Sequence, residues 1–153
     1  MKAFMSRKVP IASQRGASAV EFAIVLPVLL LLLFGTIEFG VLFFNKAVIT
    51  NASREGARRG VVWWTDSNGT SPYIAPIGDI QGVVDSYCIG HLISFGATNP
   101  APTTTVLVSG TAPNEYLQVH VAYNYTFLII PKLVTSIGGP LTLVGDTTMR
   151  IEF

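Results

Sequence analysis

The chain has 153 residues, of which half are hydrophobic and only 12% are charged. Soluble domains carry about 25% charged residues, so this composition excludes an ordinary soluble domain along the whole length. The net charge of +1, without a basic stripe interleaved with aromatic residues, argues against a nucleic-acid binder. The single cysteine, Cys88, excludes an internal disulfide.

The segment 1–16 forms a short basic leader. Its charged residues are Lys2, Arg7, Lys8 and Arg15, with no acid among them. A secretory signal peptide has an apolar core that is followed by small residues. Here the small residues, 17–19, precede the apolar core, which is the wrong order for ordinary secretion.

An apolar run from Ala17 to Phe44 follows, and its only charged residues are Glu21 and Glu38. A helix needs about 20 apolar residues to cross a hydrocarbon core of roughly 30 Å. The run therefore predicts one transmembrane helix, with a kink at Pro27. Four basic residues flank each side of the run, so charge alone leaves its orientation open.

The same helix is predicted to continue to Gly60, which is a plausible stop. Glu55 precedes Arg59 by four residues, the favourable order for an ion pair within a helix. The stretch from Ala17 to Gly60 would then form about 66 Å of helix.

A loop over 61–76, with Trp63 and Trp64 packed under it, leads to a second predicted helix over Gly78–Ser94. Its apolar face comprises Ile80, Val83, Val84, Tyr87, Cys88, His91 and Leu92. Because a metal site needs more ligands than one cysteine and one histidine, Cys88 and His91 are interpreted as part of this packed stripe.

Three strands are predicted over Thr103–Ser109, Glu115–Phe127 and Leu141–Phe153. In the second strand Leu117, Val119, Val121, Tyr123, Tyr125 and Phe127 alternate with mostly polar residues, which is typical of an antiparallel strand with one buried face. The expected fold is α+β: a long N-terminal transmembrane helix that continues into a small domain with one further helix and an antiparallel sheet of about three strands. The predicted divisions are a leader (1–16), the long helix (17–60) and a C-terminal α+β globular domain (61–153).

The sequence contains no catalytic triad pattern, no phosphate-binding glycine loop and no metal-ligand spacing. We therefore expect a protein that is not an enzyme and that needs neither a cofactor nor a metal.

Three stretches together carry a family resemblance. They are RGASAVEFAIVLP, beginning at Arg15, then LLLFGTIEFG, and then NASREGARRG. The first resembles the cleavage site of a type IV prepilin, and the set resembles the TadE-like family of Tad (tight adherence) pilus assembly. The resemblance implies that a prepilin peptidase cuts between Gly16 and Ala17 on the cytoplasmic side, so that Glu21 becomes the fifth mature residue.

The resemblance also implies roles for charged residues. Glu21 would pair with the new α-amino group at Ala17, often that of a neighbouring subunit; the alternative is a carboxylate that reaches water at the headgroups. Glu38 is interpreted either as a subunit contact or as a solvated acid near the interface. The cluster that includes Arg54, Glu55 and Arg58 would contact headgroups, another subunit or the globular domain, or would simply be solvated helix surface.

The implied function is that of a minor pseudopilin-like protein of a Tad-type (type IVc) pilus, in the bacterial inner membrane with a periplasmic C-terminal domain and, after assembly, in an extracellular pilus. Its partners would be the prepilin peptidase, other pilins and pseudopilins, the inner-membrane assembly platform and the lipid bilayer, with no nucleic acid. The alternative is a signal-anchored periplasmic binding module that never assembles.

Overall fold

A computed structural model describes the backbone of residues 11–62, 74–94, 101–111, 114–127 and 141–151. The elements, in chain order, are α1 (Ile11–Val61), α2 (Ile77–His91), β1 (Thr103–Thr111), β2 (Asn114–Tyr125) and β3 (Leu141–Arg150). This architecture confirms the α+β class, with a long N-terminal helix, one further helix and a three-stranded antiparallel sheet. Most of the predicted 61–76 loop, including both tryptophans, and the connection between β2 and β3 lie outside the described residues.

The chain divides into two compact units, Met1–Ile37 and Glu38–Phe153. In the first unit, the described side chains of α1 are exposed on nearly all sides, as the continuous apolar run requires for a helix surrounded by lipid or by other helices. The helix is long and apolar enough to cross a membrane. It runs without interruption through Pro27. The helix therefore suggests a membrane anchor.

The second unit contains the sheet, whose strand order is β1-β2-β3 with both pairs antiparallel. Thr103 lies opposite Ala122, and Tyr125 lies opposite Leu141. The predicted alternation in β2 is confirmed, because all six residues from Leu117 to Phe127 on its apolar side are buried. In β3 the ladder ends at Arg150 rather than at Phe153, and the Ile151 N–H donates to the Glu115 carbonyl at 3.0 Å.

Helix α1 from Glu38 onward covers the buried face of the sheet and runs antiparallel to β2. The Tyr125 hydroxyl reaches the Glu38 carbonyl at one end, and Gly60 packs on Leu117 at the other. The compact unit therefore includes the part of α1 from Glu38 to Val61, whereas the sequence placed the division after Gly60.

Helix α2 lies antiparallel to α1, since Ile80 contacts the position of Gly60, Val84 that of Gly56, and Ile93 bonds to Asn45. The core between these layers is apolar. Its largest fully buried side chains include Tyr123, Ile49, Ile80, Leu117, Ile151 and Val84.

Candidate functional site

The predicted cleavage junction lies within helix α1, which begins at Ile11 in the uncut chain. Gly16 and Ala17 are both exposed, and a Cβ added at Gly16 would meet no atom within 4 Å. Gly16 therefore has no packing role here, although glycine inside a helix costs about 1 kcal/mol relative to alanine. The junction is accessible on the helix surface. Its cleavage stays a prediction.

Glu21 is exposed on the apolar helix and makes no hydrogen bond or ion pair with the described residues. Its neighbours Phe22, Ile24 and Val25 are also exposed. Since Ala17 and Glu21 are four residues apart, they share one face of the helix. A carboxylate in an apolar surrounding usually requires a partner, and the pairing of Glu21 with an α-amino group stays a prediction.

Glu38 is buried, whereas one of its two predicted interpretations was a solvated acid. Its side chain is only 3% exposed, at the start of the globular unit. The Tyr125 hydroxyl lies 3.4 Å from the Glu38 backbone carbonyl. Burial, together with the nearby Glu38 carboxylate and Tyr123, raises the pKa of Tyr125 to about 12. The solvated alternative does not fit this burial, and a subunit contact through Glu38 stays a prediction.

The NASREGARRG segment has two distinct sides. Its small residues Ala52, Ser53, Gly56, Ala57 and Gly60 are buried against the sheet and α2. A Cβ at Gly56 would lie 2.6 Å from Val84 Cγ2, and one at Gly60 would overlap Leu117 Cδ2. Gly60 is therefore a point of close packing, and the helix ends one residue beyond it.

The opposite side of this segment carries its charges. Arg54 and Arg58 are exposed, and Glu55 is partly exposed. Arg58 donates to both Glu55 carboxylate oxygens, at 2.6 and 3.1 Å, and this hydrogen bonding is the main reason that the pKa of Glu55 is lowered. Arg54 makes no hydrogen bond or ion pair within the described part of the chain. The three side chains form a small charged surface on the side of α1 that faces away from the core, and a contact of this surface with a partner stays a prediction.

The predicted ion pair between Glu55 and Arg59 is wrong. Arg59 instead bonds Asp79 on α2, with Nη2 3.2 Å from Oδ2, and Glu55 bonds Arg58. Helical spacing identifies neighbours along one helix, but it carries no information about an acid on a second helix. Packing of α2 on α1 brings Asp79 within reach of Arg59.

Asn45 is a buried polar residue that the sequence analysis missed. Its side-chain amide donates to the Ile93 carbonyl at 2.7 Å and accepts from the Ile93 N–H at 3.0 Å. These two bonds link the residues that follow α2 to α1. They engage both the N–H and the carbonyl of Ile93, as a neighbouring β-strand would. The sequence offered one signal of this role, which is that an asparagine occupies a helix position between buried apolar residues.

Cys88 is buried in α2 as expected, and burial, with a smaller contribution from Asp85, raises the pKa of its thiol to about 11. His91 was expected on the packed face but is exposed, with its ring stacked 4.7 Å from that of Tyr87. His120 lies 2.7 Å from Asp146 on the other face of the sheet. Among the described residues, no group of three potential ligands could hold a metal ion.

One open groove lies between the end of α1 and α2. It is lined by Arg59, Gly78, Asp79, Gly82, Val83, Ser86 and Tyr87. Its charged residues already pair with each other, and its other lining groups do not supply a nucleophile with an adjacent base. The groove therefore offers no arrangement for covalent catalysis.

Helix α1 combines an exposed apolar segment, which suggests a membrane anchor, with a C-terminal part that is buried in the core of the α+β unit. Residues 16–58 match the model of the family described as TadE-like protein. The match confirms the resemblance stated above, and the segment from Gly16 to Arg58 is TadE-like. No curated protein matches the chain. No solved structure matches it either.

Proposed function

We propose that the protein is a minor pseudopilin-like subunit for assembly of a Tad-type (type IVc) pilus. A prepilin peptidase cleaves it after Gly16, and the mature chain stays in the inner membrane until assembly. The observation that carries this proposal is the family match, which begins at Gly16 and joins the cleavage junction, Glu21 and the small-residue segment in one helix.

The apolar part of α1 suits two successive environments, the bilayer before assembly and a bundle of helices afterwards. Most of its large apolar side chains from Val20 to Phe34 are more than half exposed, which suits acyl chains before assembly and neighbouring helices afterwards. Because lipid and leucine side chains are similarly apolar, transfer from the bilayer into a bundle of helices costs little in hydrophobic free energy. The helix can therefore leave the membrane without exposing a new apolar surface to water.

Glu21 would fix the register between subunits. Cleavage creates an α-amino group at Ala17, which is mostly protonated at neutral pH. In an apolar surrounding an unpaired carboxylate is costly, whereas a carboxylate opposite an ammonium group is compensated. The cost of the unpaired Glu21 carboxylate is therefore removed only when a neighbouring subunit lies at one position along the filament axis, where its Ala17 amine meets Glu21.

Complementation of a deletion strain tests the assembly role. We expect Glu21→Ala to reduce surface pili strongly while the protein is still made and inserted. Asp85→Ala serves as the control, since it removes a carboxylate from α2, outside the apolar segment and outside the predicted subunit contacts. Pili are counted by electron microscopy, and protein levels in the membrane are measured by immunoblot.

Normal piliation by Glu21→Ala would refute the register role. The alternative function, a signal-anchored periplasmic module, predicts an uncut chain, normal pili in the deletion strain and no pilins that copurify with the protein.

A further inference from the structure

The globular unit has one end at which exposed apolar residues from three elements lie together. We call Phe39, Phe43, Phe44, Ile93 and Leu141 the apolar rim. The three phenylalanines lie on α1, Ile93 follows the end of α2, and Leu141 begins β3. Phe43 is 68% exposed, Ile93 is 42% exposed and Leu141 is 38% exposed.

Contacts within the unit place these residues at the same end. Ile93 is held by the Asn45 side chain, one residue after Phe44. Leu141 lies opposite Tyr125, whose hydroxyl reaches the carbonyl of Glu38, one residue before Phe39. The rim therefore surrounds the point at which the chain enters the globular unit.

The charge distribution distinguishes this end from the other. Among the described residues near the rim, Glu38 is buried and Lys46 is the exposed charged side chain; its ammonium donates to the Val144 carbonyl. At the opposite end the exposed apolar residues Val62 and Ile77 lie beside charged ones. These are Arg58, Arg59, Asp79 and Arg150. Of these two ends, as far as the described residues show them, the rim can enter an apolar phase without burying exposed acids and arginines.

We propose that the apolar rim is a lipid-docking surface, which rests at the boundary between the headgroups and the acyl chains of the bilayer that α1 crosses. Phe39 follows the apolar segment of α1 directly in the chain, so a bilayer crossed by that segment is the apolar phase that the rim would meet first. Amphipathic surfaces of this kind enter to a depth of about 5–10 Å. Lys46, with its long aliphatic stem, can remain at the headgroups.

Docking would hold the globular unit directly on the membrane rather than on a flexible stalk. It depends on α1 being the anchor, but not on cleavage at Gly16 or on pilus assembly. The globular unit starts at Glu38, within the apolar run that was predicted to end at Phe44.

The test uses the full-length protein in phosphatidylethanolamine and phosphatidylglycerol vesicles. Nitroxide labels are attached to Ile93→Cys, to Leu141→Cys and to the control Leu107→Cys, an exposed leucine on β1 that is 53% exposed and lies outside the rim. Native Cys88 is buried, and unsubstituted protein reports its background labelling. Collision rates with oxygen, which concentrates in lipid, and with a water-soluble nickel chelate are measured by power saturation.

We expect the ratio of oxygen to nickel collisions to be several-fold higher at positions 93 and 141 than at position 107. Equal ratios at all three positions would overturn the proposal. Protection of positions 93 and 141 from both reagents, with dipolar broadening between labels, would also overturn it and would assign the rim to a second copy of the chain.

Discussion

At the scale of single residues, three glycines mark the closest approaches of α1 to its neighbours. Gly56 and Gly60 lie on the helix, and Gly145 lies on β3, where a Cβ would be 2.7 Å from the Ile49 carbonyl oxygen. None of the three requires a positive φ. Distance alone therefore selects glycine at these positions.

Gly56→Ala should lower the free energy of unfolding by about 1–2 kcal/mol, because the new methyl group would overlap Val84. Valine is stiff at χ1 and cannot turn aside in a filled core. The control is Gly82→Ala on α2, where a Cβ meets open space; this change should raise stability by roughly 0.5–1 kcal/mol. Urea unfolding in detergent measures both variants, and equal effects of the two would contradict the packing argument.

Asn45→Leu should destabilise the protein by about 1–3 kcal/mol, since it leaves the Ile93 N–H and carbonyl without their buried partner. Asp79→Asn provides the contrast. It breaks an ion pair that is partly exposed at both side chains and should cost less than about 1 kcal/mol. The same unfolding assay compares the two variants. A larger loss of stability for Asp79→Asn than for Asn45→Leu would contradict the inference that Asn45 makes the stronger link between α1 and α2.

The Cys88 thiol should not react with a thiol reagent at pH 8 in the folded protein. Burial raises its pKa from the ordinary 9.0 to about 11, so the reactive thiolate is scarce and also inaccessible. Because the folded pKa is raised, the associated stability is complete below pH 9 and is lost as the pH rises towards 11. Absorbance of the thiolate released from the reagent reports the reaction, with urea-unfolded protein as the reactive control. Rapid reaction of the folded protein would show that Cys88 is exposed.

At the scale of elements, helix α1 serves two purposes along its length. Most described residues up to Ile37 are exposed, whereas Ile49, Ala52 and Ala57 are fully buried in the globular core. The second half of the helix therefore supplies the layer that covers the buried face of the small sheet. Elements of this kind cannot be removed without exposing the buried face of the sheet.

A fragment comprising residues 38–153 should unfold cooperatively, whereas a fragment comprising 62–153 should not. The shorter fragment lacks the helix that covers Leu117, Val119 and Val121. Near-ultraviolet circular dichroism during thermal unfolding distinguishes the two fragments. A cooperative transition for 62–153 would show that the sheet and α2 suffice, in agreement with the division predicted from sequence.

Much of this architecture follows from periodicity, and the exceptions have one physical cause. The two-residue alternation in β2 predicted its buried face, and helical spacing in α2 predicted burial of Ile80, Val84 and Cys88. The burial of Glu38 and the pairing of Arg59 with Asp79 were not predictable, because they depend on packing between elements. Tyr125, for example, reaches Glu38 across 87 residues of sequence.

At the scale of the whole molecule, helix α1 belongs to both compact units, since the first ends at Ile37 and the second begins at Glu38. The basic leader and the chain that follows it have opposite net charge, since the segment 1–16 contains four basic side chains and no acid. The uncut chain has a net charge of +1, and removal of the leader would leave a mature chain with a net charge of about −3. Removal of the leader would also create the ammonium group that Glu21 is proposed to meet.

The most direct test of the central claim is the intact mass of the protein purified from cells with and without its prepilin peptidase. We predict that the peptidase yields a chain that begins at Ala17, and that its deletion yields a chain that retains the leader. A chain that keeps the leader in the presence of an active peptidase would contradict the account.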